Sequence, residues 1–207
     1  MIPQHHNLLK TTFFISFFCF SNMIWAEVER ESSIHVPINK LHASLLNIME
    51  NDGTKSFQER YNVMEEIVFT HFNTPLITKI ILGRHWKTLD KQGQKDFIDT
   101  FNRLTISTYV NRFNSYNGEF FKTLSIEQMK KNRFLIRTEF VRVDDKPISF
   151  NYIVQNNMGV WKIISVIANG INDLSLKRAD YSSVIKERGF DSLISSLKQK
   201  IKDLQPK

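Results

Sequence analysis

The sequence predicts an α+β domain in which helices come first, an antiparallel sheet follows and two further helices end the chain. Apolar residues repeat at helical spacing up to about residue 116, and from about 119 to 168 β-branched and aromatic residues dominate. Short turn-like links separate the predicted strands, which favours pairing between neighbours in sequence. We therefore expect helices at about 38–116, strands at about 119–168 and C-terminal helices at about 173–204, in one domain spanning 27–207.

Three short helices are predicted first. Pro37 precedes the first apolar stripe and Gly53 ends it, while Thr74 and Pro75 begin a third helix that reaches about Leu82. The first two stripes consist of Leu41, Leu45, Ile48 and Met49, and then of Phe57, Tyr61, Met64 and Val68.

The longest predicted helix follows a break at Gly83. Thr88 is the expected N-cap, and the helix runs over about 89–116. Its apolar residues spread over a wide face, which predicts contacts on more than one side. They are Phe97, Phe101, Leu104, Ile106, Tyr109, Val110 and Phe113.

Four strands are predicted at 120–129, 134–143, 148–154 and 160–167, with tight turns at 144–147 and 156–159. The second and fourth strands carry apolar residues on both faces. In the last strand Val160, Ile164 and Val166 alternate with Trp161, Ile163 and Ile167. Either helices cover both faces of the sheet, or one covered face encloses a cavity, and the pattern alone leaves both arrangements open.

The N-terminus predicts export. A polar start with one cation, Lys10, is followed by an apolar run at 13–20 and by the small residue Ala26. This order is typical of a secretory signal peptide, so we expect residues 1–26 to be cleaved, with an uncleaved anchor as the alternative. The single cysteine, Cys19, lies within this segment, and the remaining chain can form no disulfide.

The net charge of +7 permits several classes of partner. A basic protein can bind nucleic acid, an anionic lipid surface or an acidic protein. Export makes nucleic acid a poor candidate. No long apolar segment follows residue 26, so we expect a soluble periplasmic protein.

Catalytic and cofactor motifs are missing from the sequence. It contains no H-E-x-x-H metal motif, no G-x-S-x-G nucleophile motif and no glycine-rich phosphate loop. We therefore expect no catalytic residues, no metal and no cofactor. The histidines outside the signal segment are expected at the surface or partly packed; they are His35, His42, His71 and His85.

The last predicted helix has an apolar stripe and a basic side. The lysines Lys198, Lys200 and Lys202 lie off a stripe formed by Phe190, Leu193, Ile194, Leu197, Ile201 and Leu204. The stripe predicts a helix docked on the core with lysines extending into water. The same lysines could meet anionic headgroups or an acidic partner.

An ordered set of residues over about 40–204 resembles the MlaC, or toluene-tolerance auxiliary, family. The set includes 72–75, the L-G-R-x-W run at 82–86, Phe97, Phe101, 108–109, Tyr152, 161–162, Gly170 and 189–194. The segment 174–182 is closer to the hopanoid-associated HpnM branch of that family. Asn73 and Ser165 stand where the family often has Asp.

The resemblance implies an NTF2-like fold, a curved sheet with helices around a deep apolar cavity, and so favours the cavity. It also implies a carrier of diacyl phospholipid between an outer-membrane lipoprotein complex and an inner-membrane MCE-protein ABC transporter. The alternatives are a hopanoid or other polycyclic lipid as cargo, an NTF2-like isomerase or hydratase, and a periplasmic docking protein without a small ligand.

The candidate lipid-binding residues combine the inward strand positions with the end of the longest helix. They are Tyr109, Phe113, Phe134, Ile136, Phe140, Phe150, Tyr152, Val154 and Ile164. Their expected role is apolar contact with acyl chains, which sets no headgroup preference. An enzyme would instead need an ionisable group with a shifted pKa inside the cavity, and this set contains only tyrosines. Arg84 and Trp86 are expected to fix a helix junction.

Overall fold

The computed structural model describes residues 33–143 and 145–206 and confirms the α+β prediction. The chain from His35 onward forms one compact unit. The predicted signal segment, residues 1–26, lies outside the described residues. In chain order the elements are α1 (Val36–Glu50), α2 (Phe57–His71), α3 (Thr74–Leu82), a 3-10 helix (Gly83–Thr88), α4 (Lys91–Arg112), β1 (Phe120–Lys130), β2 (Arg133–Arg142), β3 (Asp145–Asn157), β4 (Val160–Ala168), β5 (Ile171–Asn172), α5 (Asp173–Arg188) and α6 (Phe190–Asp203).

Side-chain caps begin the long helices. Ser56 and Glu59 form a reciprocal capping box at the start of α2. The predicted cap of α4 was wrong by two residues, because the side chain of Asp90 accepts the backbone N–H of Gly93 at 2.7 Å. Thr88 belongs to the 3-10 helix, where its hydroxyl donates to the carbonyl of His85 at 2.9 Å. That helix also contains Arg84 and Trp86.

The α4 helix ends at Arg112, four residues before the predicted end. Phe113 takes a non-helical conformation, with φ −107° and ψ 69°. It turns into the interior, where its ring meets those of Phe140 and Phe150. Burial of this ring accompanies the end of the helix.

The sheet is an antiparallel meander of five strands in the order β1-β2-β3-β4-β5. Met158 and Gly159 both have positive φ in the β3–β4 turn, as a type I′ hairpin turn requires. Asn169 and Gly170 also have positive φ, in the turn that leads to β5. The sequence did not predict this short strand.

The predicted turn at 144–147 was too long. Asp145 already pairs with Arg142, and β3 therefore begins at Asp145. Pro147 lies in the strand where the pairing with β2 shifts by a residue. A proline lacks the N–H that a regular ladder needs, and such a shift accommodates it.

The two faces of the central strands differ in polarity. Ile136 and Thr138 of β2 are fully buried on one face, while Arg137 between them is exposed and pairs with Glu127 of β1 at 2.7 Å. The described helices meet the buried face. The arrangement with helices on both faces therefore does not describe this part of the sheet.

A bulge in β4 resolves its ambiguous pattern. Ile153 pairs with Ser165 but Val154 pairs with Ile163, so that Ile164 is the extra residue. Ile163 and Ile164 thus both lie opposite Val154, and all three are buried. The predicted alternation through Val160, which is exposed, was wrong because the bulge reverses the faces of the residues before it.

The same bulge joins the sheet to the helices. The backbone N–H of Asn73 donates to the carbonyl of Ile163 at 2.9 Å, and Phe72 forms an isolated bridge with the same residue. Asn73 also caps α3, since its side chain accepts the N–H of Leu76. One residue therefore begins a helix and fixes it to the sheet.

The predicted docking of the last helix is confirmed. Leu193, Leu197 and Ile201 of α6 are buried against α4 and α5. Lys198, Lys200 and Lys202 are exposed. The apolar stripe therefore belongs to the core, and the basic side faces water.

Gly83→Ala is expected to destabilise the protein by about 2 kcal/mol, because Gly83 has φ 53° and ψ −119°, a conformation that residues with a Cβ avoid. An added Cβ would also lie 3.0 Å from the guanidinium of Arg178. Gly53→Ala is the matched control, since Gly53 also has positive φ but an open environment, and about 1 kcal/mol is expected there. Urea unfolding measures both losses, and equal losses would contradict the special role of Gly83.

Candidate functional site

The interior between the helices and the buried face of the sheet contains a continuous cluster of aromatic rings. Phe113, which follows the last residue of α4, contacts Phe121, Phe140 and Phe150 on three strands, with ring centroids 5.7 to 6.5 Å apart. Tyr109, one turn earlier on α4, contacts Phe113 at 6.1 Å. We call the rings of His42, Phe72, Tyr109, Phe113, Phe121, Phe140, Phe150 and Tyr152 the aromatic interior.

Strand register brings most of the predicted lipid-binding residues together. Phe134 pairs with Val154, and Ile136 pairs with Tyr152, so these four side chains share the buried face. Phe140 and Phe150 continue that face toward Phe113 at the end of α4. The remaining two predicted residues are Ile164, which reaches this face from the bulge in β4, and Tyr109, which reaches it from α4.

The far end of this face is closed. Phe134 packs edge-on against Trp161 at 5.4 Å, and Val154 and Ile164 are buried beside them. These residues form a packed core. A ligand therefore has more access at the other end, around Phe113.

Three rings of the aromatic interior remain partly accessible although they point inward. Phe121, Phe150 and Tyr109 are half-buried, whereas Tyr152 is 1% exposed. Burial raises the pKa of the Tyr109 phenol. These partly accessible rings are the part of the aromatic interior that a ligand can contact, and they define the candidate ligand site.

Three rings of the aromatic interior were not among the predicted lipid-binding residues, namely Phe72, Phe121 and His42, and His42 is the polar one. It was expected at the surface or partly packed, but it is 7% exposed and stacks on Phe121 with ring centroids 3.8 Å apart. Its Nε2 lies 3.1 Å from the hydroxyl of Tyr152. A signal was present, because His42 falls within the apolar stripe of α1, between Leu41 and Leu45.

The expectation that only tyrosines are ionisable in this interior was therefore wrong. Burial lowers the pKa of His42 to about 4, so its imidazole is neutral at pH 7. Burial also raises the pKa of Tyr152. Within residues 33–143 and 145–206, no carboxylate forms a hydrogen bond or ion pair with either side chain.

Other kinds of site receive no support from the described residues. No three His, Cys, Asp or Glu side chains converge as a metal set there. Over the same residues, no helix has the length and hydrophobicity that crossing a membrane requires. A separate cleft of about 190 Å³ near the Arg60–Asp52 ion pair contains none of the nine predicted residues.

Comparison with known proteins identifies the family of this chain. The profile of the family described as MlaC protein matches residues 39–199. The chain belongs to the MlaC family. A solved structure with the same fold is that of a phospholipid-binding protein from Ralstonia solanacearum in complex with a phospholipid, with 17% sequence identity and a TM-score of 0.73. The match covers 83% of this chain and 98% of that one.

The His42 imidazole is expected to make stability depend on pH below neutrality. Its pKa is about 4 in the folded protein against 6.5 ordinarily, so the unfolded chain binds the extra proton. Its contribution is complete above about pH 6.5 and is lost as the pH falls toward 4, by about 3 kcal/mol in all.

Urea unfolding between pH 7.5 and 5 measures this slope. His42→Gln should make the slope shallower. His85→Gln is the control, because His85 is a half-buried histidine in the 3-10 helix, outside the aromatic interior, and it should keep the steep dependence. Equal slopes for the wild type and His42→Gln would contradict the assignment.

Proposed function

We propose that this protein is an exported phospholipid carrier of the bacterial periplasm, in which residues 1–26 are a cleaved signal peptide and 27–207 are the lipid-binding domain. It moves lipid between the outer and inner membranes as the soluble component of an Mla-type transport system. The aromatic interior, partly accessible around Phe113, is the observation that carries this proposal. Family membership and the phospholipid in the Ralstonia protein support it.

The energetics of lipid in water explain why such a carrier needs a deep apolar interior. Burying acyl tails is favourable by about 0.8 kcal/mol per CH₂, on the order of 20 kcal/mol for a diacyl lipid. A protein that crosses water with this cargo must enclose most of both tails. Aromatic and aliphatic side chains on the buried face supply that surface without setting a headgroup preference.

Partners must then assist the transfer. A tail in a bilayer already lies in hydrocarbon, so moving it into the protein gains little free energy. We propose that an inner-membrane MCE-protein ABC transporter and an outer-membrane lipoprotein complex present and accept the lipid. The net charge of +7 favours encounter with acidic surfaces on these partners or with anionic headgroups. Catalysis has no part in this cycle.

Native mass spectrometry of the exported protein tests both the identity of the bound lipid and the cleavage of the signal peptide. The full chain is expressed in a bacterial host and purified from the periplasm without detergent. We expect a protein that begins at Glu27 and carries diacyl phospholipid. A protein that stays empty after exposure to phospholipid vesicles would contradict the carrier function, and a hopanoid in place of phospholipid would contradict the proposed cargo.

Filling the accessible space is expected to weaken lipid binding. Phe150→Trp adds volume equivalent to one or two methylenes, and displacing that much tail costs about 1 kcal/mol, or about fivefold in affinity. Phe69→Trp is the control, because Phe69 is exposed on α2. Lipid competition followed by native mass spectrometry compares the two variants. Equal affinity would show that Phe150 does not border the ligand.

A further inference from the structure

The aromatic interior contains polar groups that simple burial of acyl tails does not use. His42 and Tyr152 are hydrogen-bonded to each other at 3.1 Å and are almost fully buried. Neither side chain makes another hydrogen bond within the described part of the chain. Polar groups cost free energy when they are buried without partners, so an interior made only for hydrocarbon would contain Phe and Leu at such positions.

Counting protons shows that this pair keeps one donor free. A neutral imidazole has one N–H and a phenol has one O–H, while their mutual hydrogen bond uses a single proton. When His42 Nε2 donates to Tyr152, the phenol proton remains. When Tyr152 donates to Nε2, the proton on Nδ1 remains. Either tautomer therefore leaves one hydrogen available for a further acceptor.

Tyr109 supplies a second donor on the opposite wall. It projects from α4, whereas His42 lies on α1 and Tyr152 on β3. No hydrogen bond joins its hydroxyl to any residue in 33–143 or 145–206. The side chain is half-buried, and its ring is linked to that of His42 through contacts with Phe113 and Phe121. Two unused donors therefore lie in the aromatic interior.

Building on the proposed carrier function, we propose that Tyr109 and the His42–Tyr152 pair form a polar site that hydrogen-bonds an ester carbonyl of the bound lipid. We call these three residues the ester site. The side chains around it, Phe113, Phe121 and Phe150, provide no competing acceptor. The site thus selects lipids with ester-linked tails, whatever their headgroup.

The chemistry of the linkage makes this selection testable. An ester carbonyl is a strong acceptor placed at the junction of headgroup and tails, whereas an ether oxygen is a weaker one and a hydrocarbon polycycle has none. A ligand without the carbonyl leaves the donors unpaired in a site that excludes most water. A preference of about tenfold for the ester corresponds to one neutral hydrogen bond.

The experiment is a competition between two synthetic phosphatidylethanolamines with the same chain length, one with ester and one with ether linkages. Delipidated full-length exported protein is offered both at equal concentration, and native mass spectrometry measures the ratio of the complexes. We expect the ester lipid to exceed the ether lipid by about tenfold in the wild type. Tyr109→Phe and Tyr152→Phe should bring the ratio toward one.

Tyr181→Phe is the matched control, because Tyr181 is also a buried tyrosine but packs against Phe97, outside the aromatic interior. It should leave the ratio unchanged. The infrared band of a ¹³C-labelled ester carbonyl gives a second measurement. Binding should shift the band to lower frequency in the wild type and in Tyr181→Phe, and less so in Tyr109→Phe.

The outcomes separate the ester site from the carrier function. Equal binding of the two lipids by the wild type, or a ratio and carbonyl band that Tyr109→Phe and Tyr152→Phe leave unchanged, would contradict the ester site and keep the carrier function. Binding of neither lipid would contradict both. Thermal unfolding of each variant verifies that it is folded at the temperature of the measurement.

Discussion

The connection between the helices and β4 is the constraint on which the rest of the structure depends. The backbone hydrogen bond from Asn73 to Ile163 fixes the α2–α3 junction at the bulge. The helices α1, α2, α3 and α5 all pack against β4. The other strands extend from this connection, and their buried face meets His42 of α1 and Phe113, which follows α4. The half-buried rings of Phe121 and Phe150 leave part of this face accessible.

Apolar residues on one face of the sheet differ in how deeply they are buried. Near the bulge, Val154, Ile163 and Ile164 are in a tightly packed core. Farther along, Phe121 and Phe150 are also apolar but remain half-buried. A stable core and a ligand site are thus built on the same strands. The core anchors the sheet, so the ligand site need not be filled for the fold to persist.

Part of the family-like set of residues serves the fold. Gly83 provides a conformation that residues with a Cβ avoid, Asn73 caps a helix and fixes it to the sheet, and Trp86 lies in the connecting 3-10 helix. None of these three belongs to the aromatic interior. Phe72, Tyr109 and Tyr152 of the same set do belong to it, so the family resemblance covers the architecture and part of the candidate site, whereas His42 lies outside the set.

The sequence by itself determined the order and type of the elements and most of the buried face. Helical and alternating periodicities arise from local backbone geometry, and they are visible wherever one face of an element is apolar. The tertiary structure alone decided the position of the β4 bulge, the early end of α4 and the burial of His42. The position of a bulge depends on the pairing with the neighbouring strand. A polar residue in an apolar stripe is buried only when a hydrogen-bond partner reaches it, and for His42 that partner, the Tyr152 hydroxyl, is 110 residues away in the sequence. These are relations between distant segments, and no local pattern encodes them.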